Sequence, residues 1–428
     1  MTGLTRAFTN ARLIDPSQKL DEIGTLLIVD NQVAAMGKGI DIPADCETID
    51  CQGKAILPGL IDMQVFTGEP GEEHRETLAT ASQAAAAGGV TAMVTMPNTN
   101  PVIDDAALVD FITRRARDTA IVRVHPMAAL TKGCLGAHMT EFGLLREAGA
   151  VAFTDGYRAV MNALTMRRAL SYAANFNALI VQHAMDQDLQ SAGVMHEGEL
   201  ATRLGLAGIP AAAETTRIDR DLRLVELTGG RYHISQISSA ESVATIRAAK
   251  KRGVRVSCGV SATHLMLNQN DVENYRSFAK LSPPLRDEED RLALILGVAD
   301  GTIDVVVSGH NPQDAEAKRQ PFAQAAYGTV GVETLLAGLL TLHHANELDL
   351  ATLLACVTQR PAELLGLDGG RLAVGDAADF TLVDLGEPWI VAADALRSKS
   401  QNAAIDRRKV QGRVYATYGY GEAVFELP

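Results

Sequence analysis

The feature that most restricts the fold is a long alternation of short apolar strand-like runs with alanine-rich helical stretches. The strand-like runs include 91–96 and 303–307, and the helical stretches include 77–87 and 106–117. Strands that alternate with helices predict a parallel sheet covered by helices. This alternating block spans 58–367, a length typical of a TIM-type (β/α)8 barrel with insertions.

The segments on both sides of this block contain strand formers and no evident amphipathic helix. Residues 25–29 and 32–37 flank a turn and predict a hairpin, and 379–384 predicts a strand. Neither segment has enough strands to be stable alone. We therefore predict an α/β protein in which 1–57 and 368–428 form one composite β-sandwich domain.

The charge and composition argue against several classes of partner. The chain has 428 residues, with 39 Lys and Arg against 52 Asp and Glu, so its net charge is −13. Nucleic acids and anionic membrane surfaces are not expected as partners, because both require clustered positive charge. The sequence predicts no transmembrane helix and no secretory signal, so we expect a cytoplasmic protein. The 5 cysteines include no CxxC pair, which argues against a structural zinc site.

Several motifs carry a resemblance to one enzyme family and follow one another in its order along the chain. These motifs are LPGLIDMQVFTGEPG at 57–71, AAGGVT at 86–91, MPNTNP at 96–101, SPPLR at 282–286, GTVGVET at 328–334 and SKS at 398–400. The chain resembles the class I dihydroorotases of the amidohydrolase superfamily from end to end. The resemblance implies a barrel with a composite β-sandwich, as the alternation also predicts.

The resemblance also implies a chemistry, the reversible cyclisation of carbamoyl-aspartate to dihydroorotate in pyrimidine synthesis. That reaction uses one or two zinc ions to polarise an amide carbonyl and to generate a hydroxide. It requires imidazole and carboxylate ligands at the strand ends and a further Asp that moves the proton.

Four positions of that implied site are substituted in this chain. The family's opening His-x-His falls on Gln64 and Phe66, and its last ligating His falls on Gln236. A glutamine is at best a weak neutral ligand, and a phenylalanine cannot bind a metal. The proton-shuttling Asp falls on Gly309, which has no side chain, so we assign no catalytic residue.

Two implied metal ligands are retained, namely Asp155 and His183. Two ligands alone are not expected to hold zinc at useful affinity, so we expect no cofactor. His233, two residues before Gln236, could replace a lost ligand because alternate residues on a strand share a face. The simpler interpretation of Asp155 and His183 is that both are hydrogen-bonded residues of the pocket.

The substrate contacts implied by the resemblance are also altered. The Arg that binds the substrate carboxylate in the family falls on Gly68. The remaining pocket positions are Asn98, Ser282, Arg286, His310, Gly328 and Gly331. A turn explains Asn98 as well as a substrate contact does. The acidic run 287–290 is interpreted as a solvated face, and His196 matches no ligand position.

Three functions follow from these observations. The first is a non-catalytic dihydroorotase homologue that acts as a structural or regulatory subunit of aspartate transcarbamoylase, a partner implied by the resemblance, in a homo- or hetero-oligomer. The second is an active zinc-dependent dihydroorotase or cyclic amidohydrolase with a rearranged site of Asp155, His183, His233 and His310. The third is a pocket that binds a small molecule without converting it.

Overall fold

The computed structural model describes residues 5–428. The first four residues of the domain predicted over 1–57 lie outside the described residues. The strands are β1 (Thr5–Asp15), β2 (Leu20–Val29), β3 (Gln32–Gly37), β4 (Glu47–Asp50), β5 (Ala55–Pro58), β6 (Leu60–Val65), β7 (Val90–Thr95), β8 (Arg123–Pro126), β9 (Leu179–Gln182), β10 (Met195–His196), β11 (Gly208–Ile209), β12 (Arg231–Ile234), β13 (Val256–Ser261), β14 (Val305–Val307), β15 (Phe380–Ile390), β16 (Lys409–Gly419) and β17 (Glu422–Glu426).

The helices begin where short polar side chains can cap them. The side chains of Thr77, Asp105 and Ser239 each accept a hydrogen bond from a first-turn backbone N–H. The α-helices are α1 (Leu78–Ala87), α2 (Ala106–Thr119), α3 (Phe142–Glu147), α4 (Ala163–Ala174), α5 (Gln187–Gln190), α6 (Glu199–Leu204), α7 (Ala212–Thr228), α8 (Ala240–Lys251), α9 (Ala262–Met266), α10 (Glu288–Ala299), α11 (Ala315–Lys318), α12 (Leu335–His344), α13 (Leu350–Ala355) and α14 (Gln359–Leu365).

Two groups of parallel strands close into the predicted barrel. Strands β6, β7 and β8 form one group, and β9, β12, β13 and β14 form the other. Phe153 bridges Ala128 and Ile180, and His310 bridges Val65, so single-residue pairings join the groups on both sides. The strands are buried on both faces, as expected when helices cover a parallel sheet. The predicted fold class is confirmed.

The two ends of the chain build one mixed sheet beside the barrel. Its order is β17-β16-β15-β5-β1-β2-β3, with β4 also paired to β1. Phe8 and Phe380 pack edge to face with ring centroids 5.0 Å apart, and Phe380 stacks on Tyr418 at 4.5 Å. The C-terminal strands therefore complete the sheet that the N-terminal strands begin. Within residues 5–428, no helix reaches the length and hydropathy of a transmembrane segment.

Candidate functional site

The carboxyl ends of the barrel strands carry a buried pair of carboxamides. Gln64 is the second-last residue of β6, and Gln236 follows β12. Gln236 Nε2 donates a hydrogen bond of 2.9 Å to Gln64 Oε1, and the two residues are only 5% and 2% exposed. The two positions that the resemblance assigns to imidazole ligands thus bind each other, and neither offers an anionic or imidazole donor.

Phe66 fills the next implied ligand position with a fully buried ring. The guanidinium carbon of Arg75 lies 4.2 Å from the centre of that ring. Arg75 Nε donates to the Pro312 carbonyl at 2.9 Å and Nη2 to Asn311 Oδ1 at 2.8 Å, while Nη1 contacts the carboxylate of Glu72. A phenyl ring has no donor atom for a metal ion, so this position contributes no ligand.

Gly309 holds the position of the proton-shuttling Asp in a left-handed conformation, with φ of +62°. A Cβ atom there would lie 2.8 Å from Gln236 Nε2 and 3.3 Å from the Ser261 Cβ. The first side-chain atom of an acidic residue would therefore meet the end of the Gln236 side chain. Position 309 offers only backbone.

Asp155 is buried and its oxygens are engaged by one residue of the loop after β8. Oδ1 accepts from the Thr131 backbone N–H at 2.8 Å, and Oδ2 accepts from the Thr131 hydroxyl. Burial raises the pKa of the Asp155 carboxyl above its ordinary value, and the Thr131 hydrogen bonds partly oppose that shift. These hydrogen bonds fix the loop after β8 to Asp155, which is a structural role.

His183 lies at the end of β9 with one ring nitrogen bonded and one free. Its Nε2 is 3.0 Å from Ser282 Oγ, and its Nδ1 has no hydrogen-bond partner among residues 5–428. Burial lowers the pKa of His183 to about 4, so the ring is neutral at pH 7. A neutral imidazole with a free nitrogen can accept or donate a single hydrogen bond to a ligand.

The other histidines of the proposed rearranged site are engaged elsewhere. His233 Nδ1 lies 2.8 Å from Ser257 Oγ inside the barrel. His310 Nδ1 accepts from the backbone of Gly331 at 3.3 Å and of Val332 at 3.4 Å. The proton of a neutral His310 is therefore on Nε2, which faces the buried Glu76 carboxylate at 3.4 Å.

A cavity of about 360 Å³ opens at these strand ends. Three of the pocket positions implied by the resemblance, Asn98, Ser282 and Gly328, line it. His310 and Gly331 do not line it; the Gly331 backbone N–H donates to His310 Nδ1 instead. Arg286 is also outside, because its Nε donates to Ser238 Oγ at 2.7 Å. Arg75 and Tyr157 also line the cavity, although no sequence motif marked either of them.

Within residues 5–428, one cluster brings together three residues that could bind a metal ion. They are His196, Asp287 and Asp290, and their ligand atoms lie within 4.8 Å of one another. Arg286 Nη1 lies 3.1 Å from His196 Nδ1. Since Arg can only donate, Nδ1 accepts, and the proton of a neutral His196 occupies Nε2, the atom nearest Asp287 at 4.0 Å. His196 Nε2 therefore has no lone pair with which to bind a metal ion beside Asp287.

The acidic run 287–290 has a structural explanation that differs in part from the predicted solvated face. Asp287 caps α10, since its Oδ1 accepts from the Asp290 backbone N–H at 2.9 Å. Burial raises the pKa of Asp290 to about 6. An aspartate directly before a helix is a capping signal that the sequence already contained.

The residues at the strand ends do not fit a catalytic zinc ion. Such a site uses three nitrogen, sulfur or carboxylate ligands and keeps one open position. Here the opening positions hold a carboxamide pair and a phenyl ring, and the carboxylate oxygens of Asp155 are bound to Thr131. The arrangement supports hydrogen bonding to a ligand, and we derive no hydrolytic step from it.

Comparison with known proteins gives consistent matches. A family model described as dihydro-orotase-like matches residues 53–242. The chain is 43% identical over 413 residues to a protein named dihydroorotase from Geotalea daltonii, covering 96% of this chain and 97% of that protein. It is 41% identical over 425 residues to a dihydroorotase from Wolbachia sp. subsp. Drosophila simulans, covering 99% and 96%.

Solved structures share the fold over nearly the whole chain. The L-hydantoinase (dihydropyrimidinase) from Arthrobacter aurescens superposes with a TM-score of 0.88 at 26% identity, covering 98% of this chain and 96% of that one. The dihydropyrimidinase from Brevibacillus agri superposes with a TM-score of 0.86 at 21% identity, covering 99% and 95%.

Proposed function

The chain belongs to the dihydro-orotase-like family, and we propose that it is a non-catalytic member that serves as a structural or regulatory subunit. One observation carries this proposal: the glutamine pair of Gln64 and Gln236 occupies positions where the resemblance expects two imidazole ligands. Phe66 and Gly309 support it, because one removes a ligand and the other removes the proton shuttle. An assembly role fits a chain that keeps the barrel while it loses its donors.

The proposed partner is aspartate transcarbamoylase, in a hetero-oligomer. The support for this partner is the family resemblance together with the altered site. The test is size-exclusion chromatography of this protein with the aspartate transcarbamoylase of the same cell at micromolar concentrations. We expect one large complex, and separate elution of the two proteins would contradict the assembly role.

A second candidate is an active zinc-dependent dihydroorotase. The relatives named dihydroorotase favour it, because two of them are 41% and 43% identical over nearly the whole chain. In that case Asp155 and His183 would have to contribute ligands after a rearrangement of the contacts described above.

Metal content and turnover separate the two candidates. We expect protein prepared with excess zinc and without chelator to hold well under one zinc per chain by mass spectrometry of metals. We also expect no cyclisation of carbamoyl-aspartate. One or two tightly held zinc ions, with turnover that is abolished in Asp155→Ala and His183→Ala, would establish the second candidate.

A further inference from the structure

A smaller concave site lies apart from the barrel mouth, where helix α12 packs against strand β16. It has a volume of about 170 Å³, and residues of α12, β15, β16 and β17 line it. We call it the Trp389 site, after the tryptophan in its wall. We propose that it binds a small monocarboxylate with a short apolar tail. This proposal goes beyond the proposed function and does not depend on it.

The guanidinium of Arg413 supplies the Trp389 site with a cation. Its central carbon lies 4.5 Å from the centre of the Trp389 ring. The half-buried Arg413 side chain makes no ion pair and no hydrogen bond with any residue in the range 5–428. Stacking uses the face of a guanidinium and leaves the N–H groups at its edge free, and these groups match the two oxygens of a carboxylate.

Contacts within the chain hold the wall behind Arg413 in place. Trp389 Nε1 donates a hydrogen bond of 2.9 Å to the carbonyl of Gly412, the residue before Arg413. Gly412 has φ of +94°, and a Cβ atom there would lie 2.2 Å from Leu340 Cδ1, so glycine allows β16 to approach α12 closely. A wall that is already ordered loses little conformational entropy when a ligand binds.

The other two charged side chains of the Trp389 site compensate each other. Glu333 Oε1 accepts from Arg397 Nη1 at 3.0 Å, and Glu333 Oε2 accepts from the Arg397 backbone N–H at 2.8 Å. Among the described residues, no further charged side chain lines the site. Two guanidiniums and one carboxylate therefore leave one positive charge uncompensated, at Arg413, in a chain whose net charge is −13.

The rest of the lining and the volume restrict the ligand. Most of the remaining lining residues are aliphatic, among them Leu336, Leu396 and Val414, and they suit an apolar tail. A cavity of about 150 Å³ can hold one benzene molecule, so a volume of about 170 Å³ suits one small molecule and not a nucleotide. A phosphate dianion would bring a second negative charge without a cation to compensate it. These features favour a short branched monocarboxylate.

Fluorescence tests this proposal directly, because Trp389 is the single tryptophan of the chain. Isovalerate would be titrated into the full chain at pH 7.5 and constant ionic strength, with isovaleramide as its uncharged counterpart of similar shape. We expect a saturable change in emission with isovalerate, half-complete at or below about 1 mM. We expect binding of isovaleramide to be weaker by about tenfold or more, since it lacks the charge.

Isothermal titration calorimetry of the same samples detects any binding that leaves the emission unchanged. Equal affinity for isovalerate and isovaleramide would overturn the proposal, because the cation would then play no part. The proposal would also be overturned if neither method showed saturable binding of isovalerate.

Two variants connect binding to the Trp389 site. Arg413→Gln removes the free cation and is expected to weaken isovalerate binding by about tenfold or more. Ala392→Leu, at another lining residue, adds apolar volume without changing the charge and is expected to weaken binding by about threefold or more. Arg319→Gln, at a side chain that is 77% exposed and outside the site, is the matched control and should bind as the unaltered chain does.

Calorimetry measures the affinity of each variant, and circular dichroism checks its folding. Unchanged affinity in Arg413→Gln would overturn the proposal. Unchanged affinity in Ala392→Leu would place the bound isovalerate elsewhere on the chain and would overturn it as well. Neither result bears on the proposed function, which metal content, turnover and co-elution test separately.

Discussion

Two buried polar clusters follow strand β12, and they differ in how fully their hydrogen bonds are made. In the first, both carboxylate oxygens of Glu214 accept hydrogen bonds from Ser238, Ser239 and Ser242, with the Ser238 N–H at 3.0 Å. The guanidinium of Arg286 lies 3.9 Å from the same carboxylate, and its Nη2 has no hydrogen-bond partner among residues 5–428. This cluster, a serine-lined carboxylate, joins α7 and α8 to the strand end.

In the second cluster, at the cavity, hydrogen-bonding atoms are left over. Gln236 is only two residues before Ser238, yet Nε2 of its partner Gln64 and the hydroxyl of Tyr157 have no hydrogen-bond partner within residues 5–428. Buried polar groups that stabilise a fold are normally paired. The contrast teaches that the fold fully engages the buried Glu214 carboxylate, whereas the cavity keeps carboxamide and hydroxyl atoms without partners among residues 5–428.

The largest effect is expected from breaking the first cluster. Glu214→Ala should lower the free energy of unfolding by about 3–5 kcal/mol, because it leaves the buried charge of Arg286 without compensation. Urea unfolding followed by circular dichroism measures this change. Glu316→Ala, at a carboxylate whose side chain is 87% exposed, is the control and should change stability by at most about 0.5 kcal/mol. A loss below about 1 kcal/mol for Glu214→Ala would show that the Glu214 cluster stabilises the fold no more than the cavity cluster does.

The buried ring of Phe66, beneath Arg75, should give the next largest effect. Phe66→Ala is expected to cost about 3–4 kcal/mol, because a fully buried ring is lost and Arg75 loses its aromatic contact. Phe111→Ala, on an exposed ring, is the matched control for the same chemical change. If both variants were equally stable, the ring of Phe66 would not be part of a packed core.

Acidification should weaken the fold through the neutral histidines of the cavity. The pKa of His183 is about 4 in the folded chain, against an ordinary value near 6.5 when unfolded. The unfolded chain therefore binds the proton first as the pH falls, and stability is lost from about pH 6.5 down to about pH 4. The loss from this residue is on the order of 1–3 kcal/mol.

A variant series checks the source of this pH dependence. His183→Gln should reduce the slope of stability against pH in that window, and His264, whose pKa is also about 4, should account for part of the remaining slope. His74→Gln, at a side chain that is 62% exposed, should leave the slope unchanged. An identical slope in His183→Gln would show that this ring does not stay neutral.

The smallest effect is expected where the cavity already leaves atoms unpaired. Gln64→Leu removes the acceptor of Gln236 Nε2, but it also removes Gln64 Nε2, which has no partner among residues 5–428. One unpartnered carboxamide nitrogen thus replaces another, and the net cost is about one hydrogen bond. We expect a change in the free energy of unfolding within about 1 kcal/mol by urea unfolding. A loss comparable to that of Glu214→Ala would mean that the two clusters contribute equally to the free energy of unfolding.

Much of the fold could be predicted because its signals are local. The predicted hairpin of 25–29 and 32–37 corresponds to β2 and β3, although β2 begins earlier, at Leu20. The predicted helix over 106–117 corresponds to α2, which an Asp105 cap starts. Hydrophobic period and capping residues are read within a few positions, so the sequence alone contains them.

The contacts of the site were less predictable, because they join residues far apart in the chain. The resemblance places Arg286 in the pocket, yet its Nε donates to Ser238 and its side chain does not line the cavity. The resemblance implies Asp155 as a metal ligand, and the simpler interpretation is a hydrogen-bonded residue. Both its oxygens accept from Thr131, a partner that no motif marked. The direction in which a long or charged side chain turns depends on the partners that packing supplies, and these partners have no fixed spacing in the sequence.

By itself, the sequence determined the barrel, the composite sheet and the absence of imidazoles at three implied ligand positions, because residue identity and local periodicity are written in it directly. Only the tertiary structure decided what took their place. Gln64 and Gln236 are 172 positions apart, and Arg75 reaches its Asn311 partner across 236 positions. Which polar atoms find partners, and which remain free at the cavity, follows from the closing of the barrel, since only that closure brings the strand ends together.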